Sequence, residues 1–183
     1  MFNNLGFWAA GAGTQTFDFD LIATGFGSGT ATSVTFDSIP QAYKQLQLRY
    51  VAKSSTTATT LQLRLNGSSS AVYSRFGRAS NGSTLASTDE QNATSITLPF
   101  GVAPSTVSNI YSGGIIDIID YADPKTKQVR AFSGYFSEAT VRSLDYSVAL
   151  YNDSAAISSL SINTGGVNFL DTLSRFSLYG IKG

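Results

Sequence analysis

Cysteine and histidine are both absent from this sequence, and charged side chains make up only 13% of its 183 residues. Without them there are no disulfides, no thiolate nucleophiles and none of the usual zinc sites, which need sulfur or imidazole nitrogen. A serine nucleophile would have to use lysine or a carboxylate as its base, and no Ser-x-x-Lys stretch is present. An average soluble domain is about 25% charged. Here 12 basic residues balance 12 acidic ones. Lys44, Arg49, Lys53 and Arg64 are scattered among polar residues, and the lack of a basic run argues against a nucleic-acid partner. So bland a surface lacks the self-repulsion that keeps monomers apart, which points to permanent subunit contacts. No stretch approaches the roughly 18 apolar residues of a membrane-spanning helix, so no membrane partner is expected. Met1-Phe2-Asn3-Asn4-Leu5 has no basic region of a secretion signal, and the expectation is a mature chain beginning at Met1.

What the sequence does contain is period-two alternation. Leu46, Leu48, Tyr50 and Ala52 share one face of a strand while Gln47 and Arg49 take the other. Leu61, Leu63 and Leu65 repeat this against Gln62, Arg64 and Asn66. Phe17, Phe19 and Leu21 alternate with Asp18, Asp20 and Ile22 and predict a half-buried strand. Further strands are expected at 33–37, 72–76, 95–100, 114–120, 128–136, 145–152, 158–163 and 175–181. Gly, Pro, Asn and Ser punctuate them, as in Asn66-Gly67, Asn81-Gly82, Asp123-Pro124 and Gly165-Gly166. A helical turn is expected only at 104–109. The reading is an all-β fold, an antiparallel β-sandwich (jelly-roll-like) of about ten strands, with one domain over 17–183. Ile115, Ile116, Ile118 and Ile119 break the alternation, which suggests a strand covered on both faces, by the second sheet or by a neighbouring subunit. Residues 1–16 read as an extended amino-terminal arm. Its Phe2, Leu5, Phe7 and Trp8 are costly to leave in water, at about 1.5–3 kcal/mol for a large apolar side chain, so the arm is expected to dock on a partner.

Several groups of residues are candidates for chemistry. Asp117, Asp120 and Asp123 form the best acidic cluster, but spacing three along a strand sets Asp117 and Asp120 on opposite faces, which is wrong for a glycosidase pair. Asp120 and Asp123 could supply oxygens to calcium, although an aspartate before Pro124 more simply starts a turn. Asp89-Glu90 falls in an expected polar loop. Of the nine tyrosines, Tyr50, Tyr146 and Tyr179 are expected to pack within strands, while Tyr73, Tyr111, Tyr121 and Tyr151 lie where a ligand or neighbour could reach them. Asn66, Asn81 and Asn92 match the glycosylation pattern, but with no secretion signal they read as turn residues. No catalytic residue, metal or cofactor site is expected.

Three stretches carry a family resemblance. They are Phe36-Asp37-Ser38-Ile39-Pro40-Gln41-Ala42-Tyr43-Lys44-Gln45-Leu46-Gln47-Leu48-Arg49, then Leu61-Gln62-Leu63-Arg64-Leu65-Asn66-Gly67, and finally Ser174-Arg175-Phe176-Ser177-Leu178-Tyr179-Gly180-Ile181-Lys182. Together they resemble tailed-phage virion structural proteins, in which a "SIPxxYxxLQLR" segment is followed by an "LRLNG" hairpin and a closing "RFSLYGIK" strand. The resemblance implies a non-enzymatic virion component. The leading form is a capsid decoration (cement) protein that clamps neighbouring capsid proteins and stabilises the shell through the arm and sheet edges, as a homo-oligomer with a trimer expected. The alternative is a tail or fibre component that binds a host receptor or carbohydrate. No ligand site comes with the resemblance.

Overall fold

The computed structural model describes residues 18–57, 60–136, 142–166 and 170–183. The arm residues Phe2, Leu5, Phe7 and Trp8, and Phe17, lie outside the described residues. Twelve strands run through the described residues: β1 (Phe19–Phe26), β2 (Ser33–Phe36), β3 (Gln45–Ala52), β4 (Leu61–Leu65), β5 (Tyr73–Ser80), β6 (Leu85–Ala93), β7 (Ile96–Leu98), β8 (Ser112–Ile119), β9 (Lys127–Phe136), β10 (Arg142–Tyr151), β11 (Leu160–Asn163) and β12 (Arg175–Ile181). They form an antiparallel β-sandwich. An eight-stranded sheet in the order β1-β12-β3-β8-β9-β10-β5-β6 faces a four-stranded sheet in the order β2-β11-β4-β7.

The core lies between the sheets, where one face of each strand meets the other layer. Leu46, Leu48, Ile116, Ile118, Phe176 and Leu178 enter it from the large sheet, and Phe36, Leu61, Leu63, Leu65, Leu160 and Ile162 from the small one. Tyr50 stacks on Phe176 with centroids 5.4 Å apart. It lies over Gly114, where any Cβ would overlap its ring, so that glycine makes room for the phenol. The "SIPxxY" and "YGIK" segments meet here as well. Ile39 is buried, the Tyr43 ring covers Gly180, and the Tyr121 hydroxyl donates to the Pro40 carbonyl while receiving the Tyr43 amide at 3.4 Å.

Several expectations change. Asp89 and Glu90 belong to strand β6 rather than a loop. Residues 104–109 make turns, with Val107 donating to the Pro104 carbonyl, and no helix forms among the described residues. Asn66 and Gly67 do take positive φ (52° and 64°), and Ser68 closes the turn on the Leu65 carbonyl. The flanking β4 and β5 nevertheless belong to different sheets, so this turn is a corner and not a hairpin. In β1 the apolar Phe19 and Leu21 point outward; a register shift after Leu21 accompanies the inward packing of Ile22 and Ala23.

Candidate functional site

Directly paired residues of adjacent strands share a sheet face, so the registers lay out the outer face of the large sheet as rows. One row runs Arg78, Tyr146, Phe132, Ile115, Arg49, Ser177 across β5, β10, β9, β8, β3 and β12. The next runs Phe76, Val148, Arg130, Asp117, Gln47, Tyr179 across the same strands. A third pairs Leu144 with Gly134 and Gly134 with Gly113. Nothing among the described residues covers this face, which explains its exposed aromatics: Phe132 is 50% exposed, Tyr146 53% and Phe76 57%. Ile116 and Ile118 point into the core while Ile115 points out, so within the chain the isoleucine strand is covered on one face.

A polar chain crosses this apolar ground. Arg130 approaches the Asp117 carboxylate at 4.0 Å, Gln47 donates to that carboxylate at 2.7 Å, and Arg49 donates to the Gln47 side-chain oxygen at 2.6 Å. The Arg49 guanidinium then lies 4.9 Å over the Phe19 ring and 5.0 Å over Tyr179. Beside the chain is a hollow of about 360 Å³ between Ile115, Phe132, Arg130 and Tyr146. A larger trough of about 470 Å³ opens where the two paired glycines leave the sheet bare, walled by Phe132, Phe136 and Leu144. The Arg142 guanidinium caps the Phe136 wall at 5.4 Å. Five of the seven arginines, Arg49, Arg78, Arg130, Arg142 and Arg175, point to this side. Lys127, the lysine of these strands, turns inward and gives its ammonium to the carbonyls of Asp123, Lys125 and Ser154; burial lowers its pKa.

The outer face of the small sheet is different in kind. Its cross-strand neighbours Thr35, Ser161, Arg64, Ser33, Asn163 and Gln62 are all polar and line a hollow of about 380 Å³. The sandwich therefore has one wet face and one apolar face that carries arginine.

The acidic triplet is not a catalytic constellation. Asp117 is on the outer face, whereas Asp120 ends the strand at positive φ (51°) in the following turn. The Lys125 ammonium lies 2.7 Å from Asp120 and 3.5 Å from Asp123, so these carboxylates already hold a cation. No group of three carboxylates that could hold a metal occurs among the described residues. The tyrosines largely exchange roles. Tyr73, Tyr121 and Tyr151 are buried, and Tyr73 both receives the Leu65 amide (2.9 Å) and donates to the Leu65 carbonyl (3.2 Å). Tyr111 is half-buried and donates to Asp171 at 2.8 Å. Tyr146, expected to pack, is on the open face. Asn66 spends its amide on the Ala156 carbonyl and on the Ser158 and Ser159 amides.

Sequence reading missed a buried network on the inner face of β5 and β10. Arg75 reaches Asp145 at 2.7 Å and Ser147 at 2.9 Å, and Ser147 donates to Asp145 at 2.6 Å. Its one signal was the alternation of β5, which must turn Arg75 and Phe76 to opposite faces but does not say which of them is inside. A hydroxyl beside a carboxylate suggests a nucleophile and base, but both side chains are buried and the carboxylate is tied to a guanidinium.

No protein-family model matches the chain, and no curated protein matches it. Among solved structures, the Caenorhabditis elegans galectin LEC-6 gives a TM-score of 0.37 at 10% identity, over 87% of this chain and 96% of that one.

Proposed function

We propose that the protein is a non-enzymatic structural subunit of a phage virion, a capsid decoration (cement) protein that stabilises the shell. The observation that supports an assembly role is the open outer face of the large sheet, where aromatic and arginine side chains stand together. That composition is typical of protein interfaces, and so large an apolar area is unusual on a free monomer. The virion setting is supported by the three phage-like motifs. In this reading the arm with Phe2, Leu5, Phe7 and Trp8 and the edge strands β1 and β6, each paired on one side among the described residues, hold neighbouring capsid subunits, since an edge strand can accept another chain.

The test is location. Immunogold labelling of purified particles is expected over the shell, and protein lacking residues 1–13 is expected to fold but no longer decorate. Among the described residues the core cluster begins at Ile22 and Val34, and circular dichroism of the truncated protein checks that the sandwich still forms. Labelling confined to the tail, or normal decoration by the truncated protein, overturns the cement reading. A tail or fibre subunit that binds carbohydrate is the second reading, favoured by Phe132 and Tyr146 flanking Asp117 and Arg130 in one hollow, a mix suited to sugar rings. Glycan-array binding lost in Tyr146→Ala would support it.

A further inference from the structure

We propose that the outer face of the large sheet is the contact between copies of this chain, the Phe132–Tyr146 ridge of one copy seating in the trough that Gly113 and Gly134 open in the next. The inference rests on the assembly reading and names the occupant of the open face.

Area is the first argument. Phe76, Phe132, Phe136 and Tyr146 are each half exposed or more. At roughly 150–250 Å² per aromatic side chain they leave about 300–500 Å² of ring surface in water. With Ile115 and Leu144 added, each a little under half exposed, the patch reaches the upper end of what is usual on a monomer, about 300–600 Å², and would form the apolar part of the roughly 800 Å² that each partner buries in a stable interface.

Charge and shape choose the occupant. Both signs are interspersed on the face, Arg130 beside Asp117 at its centre and, toward the β6 edge, Arg78 one pair from the Phe76–Asp89 pair. A partner of single sign would strand one of them in a desolvated contact. A second copy turned over can set Arg130 against Asp117 and Arg78 against Asp89, while Arg49 and Arg142 stay over the Phe19 and Phe136 rings of their own chain. The same face also offers both a ridge and a trough, the self-complementarity that contact between identical chains requires.

Gly113 supplies a clean test, because a Cβ added there meets nothing within 4 Å. Gly113→Leu fills the trough without disturbing the fold. Gly134 is unsuitable, since its Cβ would strike the Ser143 carbonyl. Light scattering and sedimentation velocity on the full chain are expected to give a dimer of the 19.4 kDa protomer. Gly113→Leu and Phe132→Glu should each weaken it by about 100-fold or more, as loss of a central anchor does. Thr35→Lys, on the wet face, should leave the mass unchanged, and circular dichroism should match wild type throughout. A monomeric wild type, or an oligomer that survives both substitutions, overturns the proposal. Solution mass is blind to virion location, so a monomer that still labels the shell sinks this inference alone, and an oligomer absent from particles sinks the virion reading alone.

Discussion

Arg75 and Asp145 meet between the sheets with both side chains essentially inaccessible. Taking two charges out of water is costly, and their attraction with the Ser147 hydrogen bond offsets that cost only while both are present. Burial pushes the Asp145 carboxyl up, with Ser147 and Arg75 pulling against it. Asp145→Ala therefore leaves a buried guanidinium uncompensated and should destabilise the fold by about 3–5 kcal/mol, read as a lower urea midpoint at unchanged slope. A loss within experimental error would show that water reaches the arginine. A second residue-scale effect concerns buried phenols. Burial, with Asp153 adding to it, pushes Tyr151 up to about 12, and Tyr50, Tyr73 and Tyr121 are also raised by burial. An unfolded tyrosine ionises near pH 10, so the native chain holds protons that the unfolded chain has released. The contribution is whole below about pH 10 and is lost as pH rises toward 12. Alkaline unfolding followed by circular dichroism should fall in that window, and Tyr151→Phe should move its midpoint to higher pH; a midpoint that stays or falls contradicts the assignment.

Strands differ in how much of the molecule holds them. β3 and β8 are bonded on both sides and carry Leu46, Leu48, Ile116 and Ile118 into the core. Among the described residues β6 is bonded only to β5, and it is open to solvent along most of its length. Local opening should follow that order. In hydrogen exchange on the Phe132→Glu chain, β6 amides should exchange first and those of β3 and β8 last. Protection of β6 equal to that of β8 would mean that its free edge is covered. β6 also lacks the lysine and proline that commonly guard an edge, which suits it to accept another strand.

At the scale of the whole molecule, the sandwich is polarised. Hydroxyl and amide side chains cover the small sheet, while rings and guanidinium groups cover the large one. A subunit of a permanent assembly would be set down in one orientation, large sheet inward and small sheet to water. The interface between copies and the particle location each probe one part of that arrangement.

Strand positions were legible because side chains in a strand alternate with a period of two, and the leucines at 46, 48, 61, 63 and 65 all point into the core as their spacing requires. The all-β class and the lack of histidine and cysteine chemistry follow from the same kind of local evidence. Alternation cannot say which face is inside, however, and where both faces carry large side chains the choice belongs to the opposing sheet. That is why Phe19, Phe76, Phe132 and Tyr146 are outside while Arg75 and Lys127 are inside. The four-stranded layer covers one side of the larger sheet and leaves the other bare. Sequence alone determined that this chain would make strands with apolar residues to spare. Pairing between residues far apart in the chain, such as Tyr50 with Gly114 or Phe76 with Val148, decided which of them built the core and which stayed exposed.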